Sequence, residues 1–170
     1  MDCTLTVGPE FFDSIGRTEA EVVMAVTNPE GRILLMTKAF YLEDVYRIPT
    51  GKLKNSEDPD AALRRELMEE TGFELNEHRP LGVIGYTFHC GEDSRAFTSH
   101  VYLIPAQGEP QSQDEGEQIA GFRWVPVSDL PAIANQLRSL PDSWTDWGRF
   151  RAIAHDFVGR VLGLEVWRWI

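Results

Sequence analysis

Glu66, Glu69 and Glu70 stand at positions i, i+3 and i+4 of an Ala/Leu/Glu-rich stretch. At about 100° per residue, a helix gathers them within an arc of about 100° beside Leu63 and Leu67. The carboxylates thus flank the apolar stripe instead of facing solvent. Local electrostatics opposes this. Glu66 repels Glu69 and Glu70 by about 0.2–0.5 kcal/mol each, and the latter two sit at the negative end of the helix dipole. A helix that breaks two electrostatic rules within one turn points to function. Oxygen-only donors suit a hard divalent cation, Mg²⁺ or Mn²⁺, which would reverse the sign of the repulsion.

The elements that position these acids are marked in residues 51–73, GKLKNSEDPDAALRRELMEETGF. A loop opens at Gly51. Asp58-Pro59 has the form of an N-cap followed by a first-turn proline. Gly72 after Thr71 predicts a left-handed stop, with Phe73 folding back toward Met68.

This stretch resembles the Nudix box, whose specified positions are filled here by Gly51, Glu57, Arg65, Glu66, Leu67, Glu69, Glu70, Gly72 and Phe73. The resemblance implies an α/β fold, a Nudix-type α/β/α sandwich with a central mixed β-sheet. It also implies an acid anhydride hydrolase, a Nudix pyrophosphohydrolase, in which water attacks phosphorus in a diphosphate linkage of a nucleoside diphosphate derivative. By the same resemblance, Glu69 and Glu70 are the principal metal ligands. Glu66 is a further ligand or the activator of water, Glu57 helps from the incoming loop, and Arg65 orients a glutamate through a bidentate pair. Outside the box, Glu117, and after it Glu115, occupies the position of the extra glutamate that serves the family as ligand or general base. Arg47, Lys52 and Lys54 flank the box as candidate phosphate contacts, and Tyr46, Tyr41 or Phe40 as base-stacking rings.

Pro49-Thr50-Gly51 resembles the lead-in of ADP-ribose and nucleotide-sugar hydrolases, which places those substrates first. The proline typical of them beyond the box is absent, Phe88 standing at its position, so nucleoside triphosphates and dinucleoside polyphosphates follow closely. A noncatalytic nucleotide sensor on the same fold is the rival class. Such sensors usually carry a degraded box, and this one is intact.

Sixteen basic against twenty-seven acidic side chains, a net charge of −11, argue against a long nucleic acid as partner. A small nucleotide held by metal and a few local cations remains compatible with that charge. Two cysteines, Cys3 and Cys90, make no disulfide framework. The lack of a leader or of a membrane-length apolar run gives no membrane association and a cytoplasmic protein as the expectation. Residues 1–170 are expected to form a single Nudix hydrolase domain.

The remaining chain reads as follows. Residues 5–12 are apolar around a Gly8-Pro9 break, with no role assigned. Residues 21–27 predict a strand buried on both faces, and 32–38 its hairpin partner across an Asn28-Pro29-Glu30-Gly31 turn. Residues 81–89 and 95–104 predict a second hairpin, and residues 107–118 a polar loop, either mobile near the site or plain surface. Residues 119–127 predict a strand, followed by a short helix capped by Ser128. Trp144, Trp147, Phe150, Ala154, Phe157, Val158 and Val161 recur at helical spacing, as in a core-packing helix. The tail from Leu164 is apolar enough to need cover, first from its own core, otherwise from a second subunit in a homodimer.

Overall fold

The computed structural model describes residues 1–16 and 19–166, with side chains through residue 164. Its layers are organised on strand β2 (Ala20–Thr27). Val22, Met24 and Val26 point to one face and Val23 and Ala25 to the other, and all five are fully buried. Successive strand residues alternate faces, so an unbroken apolar run is what a doubly covered strand requires.

The other strands are β1 (Asp2–Thr6), β3 (Arg32–Lys38), β4 (Thr50–Lys52), β5 (Arg79–Cys90), β6 (Asp93–Pro105) and β7 (Ile119–Pro126). They form a mixed sheet ordered β1-β5-β6-β2-β3-β7, with β4 joined to β2. The β1–β5 and β2–β6 pairs are parallel and the rest antiparallel. Helix α2 (Pro59–Thr71) covers one face, packing Ala62, Leu63 and Leu67 with Val22, Met24, Val26 and Leu34. Helices α1 (Pro9–Ile15) and α4 (Thr145–Val166) cover the other, where Phe12, Phe150, Ala154, Phe157 and Val158 join Val23, Ile33, Ile84 and Phe88. Leu67 is fully buried between helix and sheet, so Leu67→Ala would cost about 2–5 kcal/mol. The architecture is the α/β/α sandwich that the box implies.

Several expectations are corrected. The hairpin over 21–27 and 32–38 closes as expected at its turn, β2 antiparallel to β3 at Thr27 and Ile33, but opens farther along, where β2 pairs β4, Val22 opposite Gly51. Residues 47–52 are wedged into that opening, with Arg47 bridging Met36. The wedge brings the Gly51 loop onto the sheet. The unassigned first residues form β1, parallel to β5, and then α1. Ser128 lies in a 3₁₀ turn and does not cap the next helix, α3 (Leu130–Arg138), which follows Asp129 without a side-chain cap. Residues 167–170, most of the apolar tail, lie outside the described residues, while Leu164 is exposed. Among the described residues, no helix is long and apolar enough to cross a membrane.

Candidate active site

Helix α2 begins and ends as its sequence dictates. Asp58 accepts the Asp60 N–H at 2.9 Å ahead of Pro59, a cap worth about 1 kcal/mol. Gly72 adopts φ 73° and returns its N–H to Met68 O, a left-handed geometry that suits glycine. The helix also needs partners for its last carbonyls. The loop expected to be mobile or plain surface supplies them: Gln111 N–H donates to Thr71 O at 2.8 Å, and Gln113 N–H and Ser112 Oγ to Glu69 O at 3.0 and 3.1 Å. This loop is therefore strapped to the acidic helix, and the same strap carries Glu117.

Arg65 is the hub of the box. Its guanidinium forks onto Glu57 (2.9 and 2.8 Å) and donates also to Glu66 Oε1 (2.6 Å), Glu69 Oε2 (3.1 Å) and Lys52 O (3.1 Å). The fork holds the Glu57 carboxyl down at about 2, as an opposite charge and hydrogen bonds must. Both Glu57 oxygens are used, one of them also taking the Lys54 N–H at 2.8 Å. The structure thus places Glu57, the helper on the incoming loop, on Arg65.

Glu70 is 1% exposed, and its Oε2 has no hydrogen-bond partner. Burial pushes its carboxyl up to about 7, against the pull of Arg47 and Lys38. Burial also raises Glu66, against Arg65. Glu66 fills the space beside Gly51 so closely that a Cβ there would overlap its side chain. Glu69 is the open member, with a third of its side chain exposed. Glu117 Oε2 accepts from Lys38 Nζ at 2.6 Å, and the same ammonium lies 3.5 Å from Glu70 Oε1. Glu115, the second choice for the outer glutamate, is exposed on the 3₁₀ turn with Glu117.

Among the described residues, no three His, Cys, Asp or Glu side chains converge as ready metal ligands. Arg65 and Lys38 stand between them as counter-charges. The donors nevertheless fit a hard divalent cation: they are all carboxylate oxygens, and one of them is buried and unpartnered.

The substrate candidates are placed differently. Arg47 is 4% exposed and donates to Tyr41 Oη (2.7 Å), Ile48 O (2.9 Å) and Thr50 Oγ1 (3.0 Å). It is a strut under the Gly51 loop, where a surface phosphate contact was expected. The reason is the wedge of residues 47–52, which turns this side chain into the protein. Lys52 and Lys54 are exposed. Tyr46 is half-buried with the Arg123 guanidinium 4.1 Å from its ring centre. Tyr41 packs edge-on against Trp147 and Trp144, and Phe40 is exposed.

Two groups gave no signal in the sequence. Lys38 ends an apolar strand, and its partner Glu117 lies 79 residues away. His155, fully buried on α4, accepts the Ile48 N–H at 3.1 Å through Nε2 and directs Nδ1 to Arg151 O at 2.9 Å. Arg151 in turn pairs with buried Glu21 at 2.7 Å, which also accepts from Ser99. This polar chain ties α4 through the sheet to the loop that leads into Gly51.

An α/β/α sandwich whose acidic helix is bound through one arginine to a Gly-led loop defines a Nudix-type domain. The NUDIX domain family model matches residues 17–147, and the chain belongs to that family. Members of the family generally use divalent metals and bind small nucleotide substrates. A Mycobacterium tuberculosis protein that carries the mutator name MutT4 is 32% identical over 88 residues, covering 52% of this chain and 35% of that one. The chain thus spans about a third of the length of that relative. The crystal structure of a MutT NUDIX hydrolase from Burkholderia pseudomallei is 25% identical and covers 82% of this chain and 97% of its own, with a TM-score of 0.56. The NUDIX domain of Shewanella oneidensis NrtR, complexed with ADP ribose, shares the fold at 13% identity, 85% and 91% coverage and a TM-score of 0.51.

Proposed function

We propose that this chain hydrolyses the diphosphate linkage of a nucleoside diphosphate derivative, with ADP-ribose or a nucleotide sugar as first choice. Nucleoside triphosphates and dinucleoside polyphosphates are the alternatives. The observation that carries the reading is Glu70, a buried carboxylate with an unpartnered oxygen, on the same helix face as Glu66 and Glu69. A carboxylate is left in that condition at a cost of several kcal/mol unless a cation completes it (about 1–3 kcal/mol for the missing hydrogen bond alone). The Pro49-Thr50-Gly51 lead-in supports the order of substrates, as does the NrtR domain of the same fold that is complexed with ADP ribose.

In this reading Glu66, Glu69 and Glu70 hold Mg²⁺ or Mn²⁺. The ion supplies charge neutralisation at the phosphate oxygens and acidifies a water. Arg65 touches no substrate and is a positioning residue. By gripping Glu57 it anchors the loop, and by donating to Glu66 and Glu69 it aims two carboxylates. Glu117, on the strap, accepts a proton from the attacking water or adds a ligand. Water bonds to one phosphorus, the bridging P–O bond breaks, and the second phosphate leaves with the bridging oxygen. Lys52, exposed at the loop entrance, and Tyr46 are the substrate contacts. Residues 1–170 act as one cytoplasmic domain, its apolar tail covered first by its own core and otherwise by a second subunit in a homodimer.

The test is a panel of ADP-ribose, nucleotide sugars, triphosphates and dinucleoside polyphosphates, each assayed with Mg²⁺, with Mn²⁺ and with excess chelator. Release of a nucleoside phosphate only with metal is the expected result. Turnover undiminished by chelator, or binding of the panel without any turnover, rejects hydrolysis by this site.

A further inference from the structure

Three cations face the carboxylates, and they differ in kind. Arg65 is gripped by three glutamates and a carbonyl, and Arg47 is locked on Tyr41, Ile48 and Thr50. Lys38 has the carboxylates of Glu117 and Glu70 at 2.6 and 3.5 Å. Its side chain is 12% exposed and that of Glu70 1%, so water screens this charge poorly. Its ammonium is a point charge on a flexible four-carbon stem, free to swing where a guanidinium fork is not. It therefore stands, from within the chain, beside carboxylates that would hold a divalent ion.

We propose that Lys38 is the built-in counter-cation of the carboxylate cluster and competes with the divalent metal for Glu70 and Glu117, thereby setting metal affinity. The inference rests on the metal reading given under Proposed function. Two like charges beside one buried carboxylate repel strongly at low dielectric, so metal entry requires the ammonium to swing out. Lys38 keeps the acidic residues together in the absence of metal, and it weakens the metal's hold.

Mn²⁺ binding to the wild type, Lys38→Met, Lys38→Arg and Glu70→Gln, followed by calorimetric titration and by the EPR signal of free Mn²⁺, tests this. Lys38→Met is expected to bind Mn²⁺ at least about tenfold more tightly, and Lys38→Arg, which keeps the charge and swings out less readily, no more tightly than wild type. A lysine that only tied β3 to the strap would lower the melting temperature of Lys38→Met without moving its Mn²⁺ affinity, and that result overturns the proposal. Glu70→Gln should weaken binding in either Lys38 background. Uptake of Mn²⁺ by wild type and Lys38→Met at equal affinity overturns the competition alone. Absence of uptake by both overturns the metal reading together with it. Should Lys38→Met not fold, the wild type suffices. The Lys38 side-chain ¹³Cε resonance, assigned by its loss in Lys38→Arg, should move on Mg²⁺ titration, and a resonance unmoved at saturation is the contrary outcome.

Discussion

The carboxylate of Glu66 lies in the space that a single methyl group on Gly51 would fill. The first glycine of the box is therefore required by what stands beside it, since its backbone is not in the left-handed region. Gly51→Ala should push Glu66 off Arg65, with about 1–3 kcal/mol lost to overpacking and a fall in kcat of about a hundredfold from the misplaced carboxylate. Chemical denaturation and steady-state kinetics read both numbers. A variant with unchanged stability and turnover would show that Glu66 moves aside without consequence.

Glu70→Gln should separate activity from stability. The amide keeps the shape of the side chain and removes a charge that burial disfavours, its carboxyl being raised to about 7. Above that pH, in chelator, the variant should melt at or above the wild-type temperature, while kcat falls by about three orders of magnitude or more. Melting scans beside metal-saturated assays check the pair. A large drop in melting temperature would mean that the Lys38 and Arg47 attractions outweigh the cost of burial.

His155 gives a pH dependence of defined sign. Its Nε2 accepts the Ile48 N–H, and burial pulls its value from 6.5 down to about 4. The unfolded chain therefore binds a proton between about 6.5 and 4 that the folded chain refuses, and stability is lost as pH falls through that window, by up to about 1.4 kcal/mol per pH unit. Glu70 acts oppositely: raised from 4.5 to about 7, it adds stability to the metal-free fold as pH falls across that range. The two slopes overlap, so the informative quantity is the difference between wild type and His155→Gln. Denaturant unfolding in chelator should show that difference shifting in favour of the variant from pH 6.5 to 4. A pH-independent difference would mean that His155 takes up its proton at the same pH in the folded and unfolded chains.

The strap should be visible in hydrogen exchange. The Gln111 and Gln113 amides donate to the carbonyls of Thr71 and Glu69, so they should open only when the end of α2 opens and exchange far more slowly than unbonded loop amides. Gly72→Ala, which would set a methyl group against the Gln111 carbonyl at a left-handed position, should cost about 1–3 kcal/mol and abolish that protection. Fast exchange at both amides in the wild type would contradict a docked loop.

What could be read in advance was what local rules decide. The caps of α2 lie within a few residues of their partners, and the double burial of β2 is written in consecutive apolar residues, so both were legible. The pairing of β1 with β5 was not, because five residues with a single buried side chain carry no strand signature until a partner more than 80 residues away supplies the edge. Arg47 misled for a related reason. An arginine beside a Gly-led loop reads as a surface contact, and only the insertion of residues 47–52 between β2 and β3 turns it inward. Lys38 and His155 act through partners brought close by the sheet and by α4, and no spacing along the chain encodes that proximity.

Gln111 is pinned to the end of the acidic helix, and Glu117 to the last residue of β3. The chain between them thus works as a ruler of fixed length. Residues added before Gln111 would leave both pins seated. Residues added after it would slacken the ruler and withdraw Glu117. A designer lengthening this loop would therefore insert upstream of Gln111 and leave the downstream span untouched.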